Sequence, residues 1–222
     1  MGRSYNGGMP KRPTILLTGF APFEGAAVNP SWLAVAALSG RQIAGHRVVA
    51  RELPTEFGAS LRALRKALRE LRPKLVICVG LAGSRRNISL ERIAINIDDA
   101  RIADNAGARP IDLPVVASGP AAYFTTLPIK AMLAALRDAG IPAEVSQTAG
   151  TYVCNHVFYG LMHALRRRPA VRAGFIHVPH PGDPRTAKRT VQLDDIVLAL
   201  CIALRTALTT GTDRRISAGT ID

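Results

Sequence analysis

Three cysteines, Cys78, Cys154 and Cys201, are too few and too widely spaced to staple a chain of 222 residues. They form no CxxC pair, and no HExxH stands beside them, which argues against a disulfide framework and a structural zinc site. Long apolar runs are also missing: none reaches the ~18 residues that cross a bilayer. Residues Met1 to Pro10 lack the apolar centre of a secretion signal. The expectation is a cytoplasmic protein with a loose tail over residues 1–13, in which Met9 could be the natural start. Asn87-Ile88-Ser89 matches a glycosylation acceptor, which carries no weight in that compartment. Acidic side chains are scarce, 16 against 29 basic ones, for a net charge of +13. Aromatics are sparse as well, at 5%, and no RNA-binding aromatic motif or zinc finger accompanies the basic residues. The charge is scattered, densest at Arg62, Arg65, Lys66, Arg69 and Arg72 and at Arg166-Arg167-Arg168. This reads as a solvated arginine-rich surface, with no specific nucleic-acid partner and no membrane partner. The alternative is a non-catalytic basic binding protein, which salt-dependent binding to DNA or RNA would reveal.

What is present is an alternation of two periods. Thr14 to Gly19 and Leu75 to Gly80 are short apolar runs closed by glycine, which predict buried strands. Arg47 to Leu53, Glu91 to Ile97, Ala143 to Gln147 and Ala173 to His177 predict further strands. Helices are predicted from Pro30 to about Leu38, from Leu61 to Leu71, from Pro128 to Ala139, from the Cys154 segment to about Arg167, and from Leu193 to Leu208. Asp98 to Pro120 is a long polar loop, a length that is usually functional or mobile. The pattern predicts one domain over residues 14–208, a single three-layer α/β/α unit with a mostly parallel twisted sheet. Residues 209–222 are expected to fray. Sites in such sheets gather at the carboxyl ends of the strands, where the Cys154 segment, His177 and the loop after Gly19 can meet.

Cys154 follows a small-residue turn and opens a helix, where unpaired N–H groups and the helix dipole favour a thiolate. It also shares a face with Phe158, Leu161 and Leu165, the spacing of an ordinary core position. His177 closes an apolar strand and is the best placed of five histidines to act as base. His156, two residues from Cys154, points away from it. A third group should orient the imidazole. Glu91 is a reasonable choice, with Asp98, Asp99 and Asp104 as alternatives, and spacing does not choose among them. Cys78 and Cys201 sit in apolar segments and read as core.

Four blocks together resemble the pyroglutamyl peptidase I family, over roughly residues 14–208. They are Leu17-Thr18-Gly19-Phe20-Ala21-Pro22-Phe23 with Val28-Asn29-Pro30-Ser31-Trp32; Glu91 to Ile102 with Asp104-Asn105; Gly150 to Gly160; and Gly174 to Pro179. The resemblance implies a cysteine exopeptidase acting on peptides with N-terminal pyroglutamate, with Cys154 as nucleophile, His177 as base and Glu91 as its orienting acid. It implies Phe20, Phe23 and Val153 as pocket walls, Asn29 as a polar contact to the lactam, and backbone N–H groups at Cys154 and near Arg101 as oxyanion donors. It implies no metal or cofactor, and assembly into a tetramer or dimer. The chain departs from the family pattern in places. Glu24 stands where a glycine is usual, Leu81 where bacterial relatives often carry glutamine, and His180 to Pro184 form an unusual loop. A hydrolase of another small N-acyl group is the reading these departures keep open.

Overall fold

The computed structural model describes residues 12–182 and 191–219. Residues 1–11, Asp183 and Pro184 lie outside the described residues. In chain order the elements are β1 (Thr14–Phe20), α1 (Pro30–Ala36), β2 (Gln42–Ile43), β3 (His46–Leu53), α2 (Ala59–Leu71), β4 (Leu75–Leu81), β5 (Ile88–Glu91), β6 (Ile93–Ile95), β7 (Ala122–Phe124), α3 (Ile129–Asp138), β8 (Ala143–Ser146), α4 (Val153–Leu165), β9 (Arg172–Val178) and α5 (Leu193–Thr209).

Continuous apolar strands become intelligible once both faces are covered. Ile15, Leu17, Ile77, Val79, Ile176 and Val178 pack under α1, α3 and α5. Their neighbours Leu16, Val76, Cys78, Ala173 and Phe175 pack under α2 and α4 on the opposite face. The period of two sorts each strand between two cores, which gives the three layers. The sheet order is β2-β3-β1-β4-β9-β5-β8. Strands β3, β1, β4 and β9 run parallel. β5 runs antiparallel to β9, and β8 follows β5.

Three differences from the sequence expectation have local causes. The predicted strand Glu91 to Ile97 spans the last residue of β5 and all of β6, which lie in two sheets and part at Arg92. There the Arg92 N–H donates to Ser146 O of β8, while the Arg92 carbonyl accepts from Thr125, next to β7. β6 and β7 then form a separate antiparallel ribbon, held to α4 by Asn155, whose side chain bonds Ile95 and Ile97 main chain. Secondly, β8 does not end at the carboxyl edge of the parallel strands. Ser146 is level with Glu91, one step beyond the Leu90–Ile176 pair, so residues 147–152 carry the chain back up to Cys154. Thirdly, the segment after Thr209 is tied down. Arg172 donates to the carbonyls of Ala207, Thr210 and Gly211. Asp213 accepts from the N–H groups of Lys130 and Ala131, capping α3 where Pro128 offers no side chain.

Candidate active site

Two glycines let the site close. Gly19, in β1, lies against the backbone of Ser31 and Trp32, where a Cβ would come within 2.7 Å. Gly80, in β4, lies against Cys154, where a Cβ would sit 2.7 Å from Sγ and 2.8 Å from the Phe175 ring. Gly80 pairs in register with His177 on β9. Residues level on adjacent strands project to the same face, so the imidazole stands on the face that receives the thiol. Ser89 of β5 is level with His177, and Glu91, two residues on, shares that face. The result is a direct bond: His177 Nδ1 lies 2.7 Å from Glu91 Oε1. Glu91 is wholly buried and His177 nearly so. The Phe175 ring packs on the imidazole with centroids 4.8 Å apart.

Cys154 is the second residue of α4, whose N-cap, Tyr152, contributes no side-chain cap bond. Phe158, Leu161 and Leu165 on the same helix face are core, and Cys154 is its partly exposed upper end. Burial of the sulfur pushes the thiol up to about 12, with Glu91 adding to the rise and Arg85 opposing it. Burial thus works against the thiolate that a helix start favours.

The thiol opens into a cavity of about 50 Å³ lined by Phe20, Phe23, Asn29, Thr55, Leu81, Tyr152, Val153 and Cys154. Its walls are mostly aromatic or aliphatic. Its shape is set by bonds among three loops. Thr55 Oγ1 and Asn29 Nδ2 both donate to Ala21 O. Asn29 Oδ1 accepts from Ser31 N and Ser31 Oγ, making Asn29 the N-cap of α1 as well as a pocket wall. Asn105 Nδ2 reaches Pro22 O, and Asp104 accepts from Phe57, Ala106 and Ala108 N–H groups. Asp99 N–H donates to Thr151 O and Thr151 Oγ1 returns a bond to Asp99 O. This sets the start of the 98–120 loop beside α4. Arg101 follows, exposed and outside the pocket lining.

Of the four candidate acids, the structure brings Glu91 to His177 and gives the others different surroundings. Asp98 Oδ2 bonds His156 Nδ1 at 2.7 Å. His156 Nε2 accepts the Gly58 N–H at 3.0 Å, so its proton sits on Nδ1, toward Asp98. Asp104 organises the backbone turns just described, and Asp99 is exposed. Glu91 is not a strand-start or edge carboxylate. It ends β5, an interior strand, and pairs with Arg85. Sequence reasoning missed Thr55 and Tyr152 as walls, the His156–Asp98 pair, and Arg85. Of these, only Tyr152, two residues before Cys154, carried a local signal.

Among the described residues no cluster of His, Cys, Asp and Glu could hold a metal ion. A larger cleft of about 580 Å³ lies at the far ends of α2 and α4, lined by Arg65, Arg69, Arg72 and Arg168 over Leu68 and Leu165. Two helix C-termini converge there, and their negative ends account for the arginines.

Comparison with known proteins places these features in a family. A family model described as Pyroglutamyl peptidase matches residues 13–210. A pyrrolidone-carboxylate peptidase from Cupriavidus taiwanensis is 58% identical over 217 residues, covering 93% of this chain and 98% of the relative. One from Klebsiella pneumoniae is 56% identical over 199 residues, covering 86% and 92%. Among solved structures, pyroglutamyl peptidase I from Bacillus amyloliquefaciens superposes with a TM-score of 0.88 at 45% identity, covering 93% of this chain and all of that one. Pyrrolidone carboxyl peptidase from Thermococcus litoralis gives 0.87 at 36% identity, covering 92% and 99%.

Proposed function

This chain belongs to the pyroglutamyl peptidase family, and we propose that Cys154, His177 and Glu91 carry its reaction. It is a cysteine exopeptidase that removes pyroglutamate from peptide N-termini. The observation that supports the residue assignment is the 2.7 Å bond from His177 to wholly buried Glu91, on the sheet face against which Cys154 is packed.

His177 removes the thiol proton as sulfur attacks the pyroglutamyl carbonyl. Glu91 holds Nδ1 and so points the other ring nitrogen at the reacting atoms. The oxyanion takes backbone N–H bonds from Cys154 at the start of α4 and from the main chain near Arg101. His177 returns the proton to the departing amine, and water, activated by the same imidazole, releases pyroglutamate from the thioester. The lactam is uncharged and flat. Phe20, Phe23 and Val153 suit its ring, and the second amide hydrogen of Asn29 suits its carbonyl.

Assembly into a dimer or tetramer belongs to the same reading. It is supported by exposed apolar side chains at Ile111, Leu113 and Phe124, around the β6–β7 ribbon. A cytoplasmic setting is also part of it, since a partly exposed catalytic sulfur keeps its activity best in a reducing compartment. No helix of the described residues is long and apolar enough to cross a membrane.

The test is release of a fluorescent amine from its pyroglutamyl amide under reducing conditions, with Cys154→Ala alongside. Turnover by the parent and none by the variant is expected. Full turnover by the variant would overturn the nucleophile.

A further inference from the structure

The turn that follows β4 carries a guanidinium into the catalytic layer. Arg85 Nη1 donates to Glu91 Oε1 at 2.5 Å, the same oxygen that meets His177 Nδ1. Arg85 Nη2 donates to Thr148 O at 2.8 Å. Thr148 belongs to the segment that leads to the nucleophile: its N–H bonds Ser146 Oγ and its hydroxyl accepts from Gly150 N–H. One planar fork thus spans the acid and the approach to Cys154. Only about a quarter of the Arg85 side chain is exposed, and the carboxylate it meets is fully buried.

Resting on the assignment above, we propose that Arg85 is a positioning residue. It locks the Glu91 carboxylate to the Thr148 turn, so that acid, imidazole and thiol are held as one unit. A buried carboxylate needs a charged partner, and among the described residues Arg85 is the cation bonded to this one. The fork matters as much as the charge. Two separate N–H groups reach two separate acceptors, which a single ammonium on a flexible stem does not reproduce. The arginine also acts on the sulfur through space, opposing the rise that Glu91 imposes on the thiol.

The experiment uses Arg85→Met and Arg85→Lys in the full chain. It measures kcat and KM on a pyroglutamyl amide, and the pH dependence of Cys154 alkylation by iodoacetamide. Arg85→Met is expected to lose about 100-fold in kcat, the scale of a misplaced catalytic group, with KM changed far less. Its alkylation at pH 8 should slow, because the remaining Glu91 charge pushes the thiol higher still. Arg85→Lys should restore the alkylation rate while kcat stays low. A Met variant whose kcat and alkylation profile match the parent, with only thermal stability lowered, would reduce Arg85 to a fold contact and overturn the proposal. Should the parent itself fail to turn over the amide, the catalytic assignment falls. The alkylation profiles would still decide Arg85's bearing on the thiol, and unchanged profiles would overturn it too.

Discussion

His177 and His156 each set Nδ1 against a buried carboxylate at 2.7 Å, and both imidazoles are almost fully enclosed. In each pair one carboxylate oxygen, Glu91 Oε2 or Asp98 Oδ1, has no hydrogen-bond partner among the described residues. By bond length and burial the two pairs cannot be told apart. The differences lie around them. His156 Nε2 is occupied by the Gly58 N–H, and Phe57 stands edge-on to its ring. Its imidazole therefore ties α4 to the turn before α2 and to the Asp98 loop. His177 stands level with Gly80, which lies against the partly exposed Cys154, and its carboxylate is shared with an arginine. The occupied second nitrogen marks His156–Asp98 as a structural tie, in contrast to the relay role proposed above for His177–Glu91.

The comparison is broken most sharply by removing each imidazole. His177→Ala should lose at least about 1,000-fold in kcat, within the range for a general base, while melting close to the parent. His156→Ala should do the reverse. It leaves Asp98 buried without its partner, at a cost of about 3 kcal/mol, yet keeps measurable turnover below its lowered melting temperature. Paired thermal melts and amide-hydrolysis assays decide this. Equal losses of turnover from both variants would erase the distinction.

Neutralising the acids sharpens it further, because the sign of one effect is set in advance. Glu91 raises the Cys154 thiol, so Glu91→Gln should lower it and speed iodoacetamide alkylation at pH 8. Peptidase turnover should nevertheless fall by about 100-fold or more, since the amide no longer orients and stabilises the imidazolium. A more reactive sulfur in a poorer enzyme separates relay from thiol acidity. Asp98→Asn should change neither quantity appreciably and should register in thermal stability alone. In the parent, with the thiol at about 12, the alkylation rate should keep climbing through pH 9 to pH 11 rather than levelling near the ordinary cysteine value.

These relations mark how far the sequence could be read. Cys154 and His177 could be singled out as candidates because their signals are local: a turn before a helix, and a polar residue ending an apolar strand. Glu91 was not separable from Asp98, Asp99 and Asp104 by spacing, and only the resemblance to a family selected it. The reason is topological. Glu91 meets a residue 86 positions away, across an antiparallel pair whose direction the period of two cannot encode. The same blindness hid the orientation of β8, and the predicted strand took in only the last residue of β5 with β6, although the apolar alternation changes phase between Leu90 and Ile93. Arg85, in a turn of small and charged residues, looked like surface. At Cys154 a helix start is visible in sequence, whereas the burial that opposes its effect comes from β4, where Gly80 lies against the sulfur.

The smallest effect tests the structural pair at its far end. Gly58 holds φ at 72° at the N-cap of α2 while its N–H donates to His156. A Cβ there meets only the tip of the Arg62 side chain, at 3.3 Å, which can swing aside. The cost of Gly58→Ala is therefore conformational, about 2 kcal/mol for an alanine forced into the strained γ-turn that the Ala59 N–H to Phe57 O bond closes across this position. The N–H survives the substitution, so the tie to His156 persists under strain. That strain falls on the 55–58 turn, where Thr55 lines the pocket and donates to Ala21. Any kinetic trace should accordingly appear in KM, with kcat unchanged and the melting temperature slightly lower. A fall in kcat without a fall in stability would mean that His156 reaches the reacting atoms after all, and the contrast between the two pairs would have to be abandoned.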